Sequence, residues 1–280
     1  MKKARKLDAV SILLRAAVNA AAVLTAFIVF FIVGYILFKG IPNLTPSLFA
    51  LKYNSENVSL FPALVNTVIM TALALLIAAP LGIFAAVYLA EYASRGNKLV
   101  RAIRMAAETL SGIPSIVYGL FGMIFFVTAL HWNLSLIAGG CTLAIMVLPL
   151  IMRTTEEALI AVPDLYREGA FGLGAGRLRT VFRIVLPSAV PGILSGIILA
   201  TGRIVGETAA LIFTAGTLAQ IPDSITDSVR TLSVHMYNIS SEGLYINQTY
   251  ATAVVLIALV VLINALSSLA AKKMMGGRNG

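Results

Sequence analysis

The sequence predicts an all-α integral membrane protein with six transmembrane helices. Of its 280 residues, 59% are hydrophobic and only 12% are charged, whereas soluble domains average about 25% charged residues. Six apolar segments are long enough to cross a bilayer core about 30 Å thick as helices. They are approximately Ala16–Phe38, Phe61–Leu89, Met105–Leu130, Leu134–Met152, Ala189–Thr214 and Tyr250–Ala271.

The positions of the basic residues predict how the chain is oriented. Most of the 21 lysines and arginines lie before the first segment, between the second and third, between the fourth and fifth, or after the sixth. Because cytoplasmic loops are enriched in Lys and Arg, we expect both termini to be cytoplasmic. The first apolar run is too long for the core of a secretory signal peptide, so we interpret it as a retained helix.

These features divide the chain into parts that lie in or beside the lipid bilayer. They are a basic cytoplasmic N terminus (1–15), a first transmembrane helix with its outer loop (16–60), a core of five transmembrane helices (61–271) and a cytoplasmic tail (272–280). The core includes a long cytoplasmic loop at about 153–187. The short basic clusters form no continuous basic stripe, so nucleic acid is not an expected partner.

Several kinds of site are not indicated by the sequence. There is no G-x-x-x-x-G-K-[ST] motif for nucleotide binding, and no catalytic constellation. His131 and His235 lack the spacing of metal ligands, and we interpret both as polar surface residues. We therefore expect no metal, no cofactor and no covalent chemistry in this chain.

Gly112 and Pro114 interrupt the third apolar segment. Proline removes a backbone donor and glycine adds conformational freedom, so we expect the helix to kink there. Interrupted helices often line the pathway in transporters, which makes this position a candidate for gating.

The loop between the fourth and fifth segments predicts an amphipathic helix. Asp164 follows Pro163 and suits a helix N-cap. Apolar residues then recur at helical spacing, and Gly174 and Gly176 can end the helix. On periodicity alone, such a helix could equally rest on lipid headgroups.

The same loop carries a recognisable motif. Glu168-Gly169-Ala170, Gly174, Ile184 and Leu186-Pro187 resemble the E-A-A-x3-G-x9-I-x-L-P loop of ATP-binding-cassette (ABC) importer permeases, with glycine in place of the second motif residue. The resemblance implies the type I ABC importer permease fold, in which this loop forms a coupling helix that docks on a partner ATPase. The residues that would mark this docking surface are Asp164, Glu168, Ala170 and Gly174.

Three further stretches are similar to the phosphate-specific branch of these permeases. They are Glu108–Gly122, Gly202–Leu211 and Thr231–Gly243, and the last favours the A-type subunit. The resemblance implies a heterodimer with a sibling permease, an ATPase dimer that carries ATP and Mg, and an external phosphate-binding protein. It also implies the bacterial inner membrane as the location.

Arg203 and Glu207 are charged residues inside the fifth apolar segment. Four residues apart, they would share one face of a helix. Each costs about 2.5–3.5 kcal/mol near the centre of a span, so such residues are usually functional. Small polar neighbours, Thr201 and Thr208, would leave room around them. Arg203 could offer its guanidinium to a phosphate oxyanion while Glu207 holds it, or the pair could only set packing.

The expected function is that of a permease subunit in an ATP-driven inorganic phosphate importer that works by alternating access. The resemblance adds Arg153 as a second positive residue on the route, although an ordinary membrane anchor is nearly as good an interpretation. Three alternatives stay open: an importer for another oxyanion such as molybdate or sulfate, a proton-coupled anion carrier that uses Glu207, and a membrane assembly or sensor protein.

Overall fold

The computed structural model describes residues 9–94 and 96–276, and these are organised as helices joined by turns and loops. The helices are α1 (Ala9–Gly40), α2 (Phe61–Val87), α3 (Lys98–Ser111), α4 (Ser115–Gly122), α5 (Leu136–Ile160), α6 (Asp164–Gly172), α7 (Arg177–Thr180), α8 (Leu186–Val205), α9 (Ala209–Thr214), α10 (Leu232–Glu242) and α11 (Ile246–Gly276). The predicted all-α class is confirmed. The basic cluster at residues 2–6, Arg95 and Arg278 lie outside the described residues.

The predicted six spans appear as five long helices and one bent pair. The five apolar helices of sufficient length are Ser11–Asn43, Phe61–Tyr92, Leu136–Ile160, Arg177–Val205 and Ile246–Leu269. The sixth candidate consists of α3 and α4, whose axes differ by 103°. Three of these spans include π-helical turns, at Tyr88–Tyr92 after α2, at Met123–Ala129 after α4 and at Val181–Val185 between α7 and α8.

The bend between α3 and α4 lies where Gly112 and Pro114 were expected to kink one helix. Gly112 is the C-cap of α3, and Pro114 is the N-cap of α4. The break is much sharper than a kink, because the two helices are nearly perpendicular. A physical reason is visible in α3, whose Lys98 and Arg101 are exposed charges that a bilayer core disfavours.

The core lies where α2, α5 and α8 pack together. Its fully or almost fully buried side chains include Met70, Leu143, Met146, Ile151 and Ile204. In contrast, α1 packs along α11 and is otherwise exposed.

Two helix boundaries differ from the predicted spans. The fourth span was expected to end near Met152, but α5 continues to Ile160. The fifth was expected to run from Ala189 to Thr214 without interruption, but α8 ends at Val205. The segment 161–176 therefore connects α5 to α7, and we call the end of the bundle where it lies the loop end.

Two short helices that follow breaks pack directly against each other. Gly119 of α4 faces Ala210 of α9 so closely that a Cβ at Gly119 would lie 2.8 Å from the Ala210 Cα. Such close approach of helix backbones through small residues is typical of membrane helix packing. The contact places the break before α4 and the break before α9 in one region of the bundle.

Candidate functional site

The charged residues of the fifth span lie at a break in the helix. Arg203 is in the last turn of α8, and the helix ends two residues later at Val205. Gly206 is the C-cap, and Glu207 and Thr208 form the connection to α9. The break therefore separates Arg203 from Glu207.

Glu207 stabilises the start of α9. Its side-chain Oε1 accepts a hydrogen bond from the Ala210 backbone N–H at 3.1 Å, and the residue is only 9% exposed. A carboxylate at a helix N terminus satisfies a free amide and interacts favourably with the helix dipole. The Glu207 carbonyl accepts a further hydrogen bond from the Ser233 hydroxyl at 2.6 Å, which ties the break to α10.

The expectation that Arg203 and Glu207 share one helix face is wrong. The helix stops between them, and the two side chains do not form an ion pair. The carboxylate instead binds the amide of Ala210. Gly206 is the sequence feature at this break, since glycine is a poor helix former.

Arg203 has guanidinium N–H groups that are not used within the described part of the chain. It is partly buried, and among the described residues it makes no ion pair and no hydrogen bond. The Tyr118 hydroxyl of α4 lies within reach of its charge, but that hydroxyl donates its own hydrogen bond to the Leu110 carbonyl at 2.8 Å. A guanidinium is always charged and has five N–H donors in a planar fork, which suits a tetrahedral oxyanion.

The two predicted threonines differ in what they can contribute. Thr201 is buried, and its hydroxyl donates to the Ile197 carbonyl within α8 at 2.7 Å. Thr208 is the N-cap residue of α9 and lies at the break itself, with its hydroxyl 3.5 Å from the Gly206 carbonyl. Thr208 is therefore the freer donor of the two.

Arg153 has a different environment from the one predicted. It lies within α5, two turns before the helix ends, and its Nε donates to Glu157 at 3.0 Å. Its Nη1 is also 3.9 Å from a carboxylate oxygen of Glu108. It borders an open cleft of about 320 Å³ whose charged lining comprises three carboxylates and two guanidiniums. This excess of negative charge does not favour an oxyanion contact at Arg153.

The amphipathic helix expected in the loop is present as α6. Asp164 is its first residue, whereas Pro163 occupies the N-cap position, so the prediction of an Asp164 N-cap is wrong by one residue. The Asp164 carboxylate accepts from Arg167 Nη1 at 3.1 Å instead of capping an amide. Gly174 adopts φ = +79°, the left-handed conformation that allows the chain to leave the helix.

One face of α6 and the turn that follows it are not covered by the chain itself. Of the apolar residues at helical spacing in this loop, Val162 and Ala170 are buried against the bundle, but Leu165, Tyr166 and Leu173 are exposed, with Leu173 reaching 91%. We call the exposed set the docking surface: Leu165, Tyr166, Glu168, Phe171 and Leu173. Contiguous exposed apolar surface of this kind marks a site of interaction.

Arg167 is partly buried and makes a contact that the sequence gave no reason to single out. Its guanidinium binds the Glu91 carboxylate at the end of the second span, with Nη2 to Oε1 at 2.6 Å. Hydrogen bonding to Glu91 raises the pKa of Arg167 above its usual range. The two residues are 76 positions apart, so only the folded chain reveals the contact.

Arg230 and His235 form a second buried set, at the end of the bundle opposite the loop end. His235 is fully buried, so its interpretation as a surface residue is wrong. The Arg230 guanidinium stacks over the Tyr53 ring at 4.4 Å. Burial lowers the pKa of Arg230, and burial and the Arg230 charge lower the pKa of His235 to about 3. His235 is therefore neutral at physiological pH.

The fold, with its broken spans and exposed loop helix, is that of an ABC importer permease. Residues 78–275 match the family model described as "Binding-protein-dependent transport system inner membrane component". The chain belongs to this family.

The chain is also similar to individual permeases of known families. The chain is 35% identical over 239 residues to the "Probable ABC transporter permease protein YqgI" of Bacillus subtilis, covering 80% of this chain and 81% of the relative. It is 32% identical to the "Phosphate transport system permease protein PstA" of Haemophilus influenzae, covering 82% of this chain and 83% of the relative.

Solved structures support the fold. A bacterial ABC transporter involved in the import of alginate matches with a TM-score of 0.66 at 17% identity, covering 92% of this chain and 96% of that chain. The inward-facing MetNI methionine ABC transporter matches with a TM-score of 0.61 at 20% identity, and the match covers 77% of this chain and 94% of that chain. The predicted type I ABC importer permease fold is confirmed.

Proposed function

We propose that this chain is the A-type permease subunit of an ATP-driven importer of inorganic phosphate. The observation that carries the proposal is Arg203, a partly buried cation without a bonding partner among the described residues, at the break in the fifth span. The likeness to phosphate permeases at 32–40% identity supports phosphate as the substrate.

The chemistry at the break suits a transit site. Arg203 binds a phosphate oxyanion through its guanidinium N–H groups, and Thr208 offers a neutral donor beside it. Glu207 holds the start of α9 in place, so Arg203 is not neutralised between transport cycles. A single guanidinium gives moderate affinity, which allows release once the external phosphate-binding protein has delivered the anion.

Energy for transport comes from a partner. The docking surface, which includes Glu168 and lies beside Ala170, binds an ATPase subunit, and Gly174 shapes the exit of the coupling helix. ATP and Mg are bound by the ATPase dimer and not by this chain. Nucleotide-driven closure of that dimer displaces α6 and alternates access to Arg203, with Gly112 and Pro114 providing the break in the neighbouring span.

The assembly lies in a bacterial inner membrane with a sibling permease as the second half of the pathway. The loop end faces the cytoplasm, as the clustering of arginines there favours. Both termini are cytoplasmic, and the division into residues 1–15, 16–60, 61–271 and 272–280 follows from this orientation.

The test is uptake of radiolabelled phosphate by the complete transporter in proteoliposomes. Arg203→Ala should abolish uptake without reducing assembly, and Arg203→Lys should retain part of it because the charge remains. Arg101→Ala, at an exposed arginine of α3, is the matched control and should transport like the wild type. Wild-type uptake by the Arg203→Ala variant would assign Arg203 to packing.

The alternatives give different results in the same vesicles. An ATPase-dead partner should abolish uptake in our proposal, whereas a protonophore would abolish it in a proton-coupled carrier. Unlabelled sulfate or molybdate should compete poorly. Strong competition by either anion would identify another oxyanion importer.

A further inference from the structure

Arg167 connects the coupling helix to the rest of the chain through every nitrogen of its guanidinium. Besides the 2.6 Å bond from Nη2 to Glu91, its Nε lies 3.3 and 3.4 Å from the two Glu91 carboxylate oxygens. Nη2 also donates to the Leu159 carbonyl at 2.8 Å, at the end of α5. Nη1 donates to the Val162 carbonyl at 2.7 Å and to Asp164 at 3.1 Å. One side chain thus joins α6 to the ends of two spans.

The same turn of the second span is tied to the chain on the other side of the coupling helix. Arg177, the first residue of α7, donates a hydrogen bond to the Glu91 backbone carbonyl. Its guanidinium also lies 5.1 Å from the centre of the Tyr92 ring. The chain is therefore attached to the π-helical turn Tyr88–Tyr92 at two points, one within α6 and one at the start of α7.

Both side chains of this contact are mostly buried, unlike those of the exposed ion pair in α5. The side chains of Arg167 and Glu91 are 17% and 8% exposed, whereas Arg153 and Glu157 are 56% and 65% exposed. Exposed pairs within one helix contribute little. Separating the pair leaves the Glu91 carboxylate buried without its charged partner, which is strongly unfavourable. A displacement of α6 is therefore easier if the end of α2 moves with it.

We infer that Arg167 and Glu91 form a rigid joint that transmits the movement of the coupling helix to the second span. This inference rests on the proposed function, because it needs a partner ATPase that moves α6. Arg167 is a positioning residue in this scheme, since it has no contact with the transported anion. Because α2 packs along α5, and α5 along α8, the movement reaches the region of Arg203.

The first test separates coupling from assembly. In the complete transporter, Arg167→Met and Glu91→Gln should each lower the amount of phosphate transported per ATP hydrolysed by about tenfold, within the usual range of coupling between sites. ATPase activity stimulated by the binding protein should persist. Arg183→Ala, at an exposed arginine of the π-helical turn before α8, is the control and should keep the wild-type ratio.

The second test restores the joint by a different bond. The chain contains one cysteine, so Arg167→Cys and Glu91→Cys can be combined in a Cys141→Ser background. This variant should hydrolyse ATP with little transport, and a short bifunctional thiol cross-linker should restore transport per ATP. The joint is refuted if cross-linking leaves transport per ATP unchanged or abolishes the residual transport. It is also refuted if the variants lose assembly and ATPase activity while the amount of phosphate transported per ATP hydrolysed stays at the wild-type value.

These outcomes are distinct from failure of the proposed function. If phosphate is not the substrate, the wild-type transporter itself will not take up phosphate. If the joint is wrong, the wild type will transport phosphate and the variants will do so at the same cost in ATP.

Discussion

The contact between α4 and α9 offers a quantitative test of the packing that holds the two broken spans together. In Gly119→Ala, the new Cβ would lie 2.8 Å from the Ala210 Cα and 3.2 Å from two backbone carbonyl oxygens. These are backbone atoms, so no side chain can rotate away. The helices must separate until the contacts approach the ordinary 3.4–4 Å.

Overpacking of this kind costs about 1–3 kcal/mol. A protein of this size loses about 2–4 °C in Tm for each kcal/mol, so thermal unfolding of the purified protein in detergent should occur several degrees lower. Phosphate uptake should also decrease, because the shift moves α9 and the Glu207 cap relative to Arg203.

The matched control is Gly34→Ala in α1, where a Cβ has no neighbour within 4 Å. This variant should unfold at or slightly above the wild-type temperature, since alanine favours a helix by about 0.5–1 kcal/mol over glycine. If Gly119→Ala is as stable as Gly34→Ala and transports normally, the close packing of α4 on α9 does not support the site.

Three further predictions concern the coupling helix and the opposite end of the bundle. Gly169→Ala, where a Cβ meets nothing within 4 Å, should stabilise α6 by about 0.5–1 kcal/mol in thermal unfolding, and a loss of stability would contradict the open surface there. Leu173→Asp should abolish co-purification of the ATPase while leaving the Tm of the permease unchanged; retained binding would exclude this residue from the docking surface. His235 binds a proton below pH 6.5 in the unfolded chain but only near pH 3 in the folded one, so stability should fall by about 1.4 kcal/mol per pH unit as pH decreases between these values. Denaturation of His235→Asn at pH 7 and pH 5 should show a smaller decrease than the wild type, and equal decreases would refute the neutral buried imidazole.

The helical fold was predictable because bilayer thickness and apolar length determine a span almost by themselves. The break at Gly112 and Pro114 was also predictable, since both residue types disrupt helices. Its 103° angle was not, because a bend angle depends on how the two helices pack in the folded chain and not on the local sequence alone.

The site was only partly predictable. Arg203 stood out as an embedded cation, but spacing alone suggested a partner in Glu207 that the helix break removes. The Arg167–Glu91 contact joins positions 76 residues apart, and no local pattern connects them. The burial of His235 likewise depends on packing between distant segments.

The proposed function requires that position 203 faces an aqueous path through which the transported anion passes. The most direct measurement is the rate at which a water-soluble, positively charged methanethiosulfonate reagent labels Arg203→Cys in a Cys141→Ser background. We predict that the cysteine is labelled, that phosphate delivered by the binding protein slows the labelling, and that the added positive charge restores part of the lost uptake. A cysteine that stays unlabelled in every nucleotide state, or is labelled at a rate independent of phosphate, would show that position 203 is not on the path of the anion.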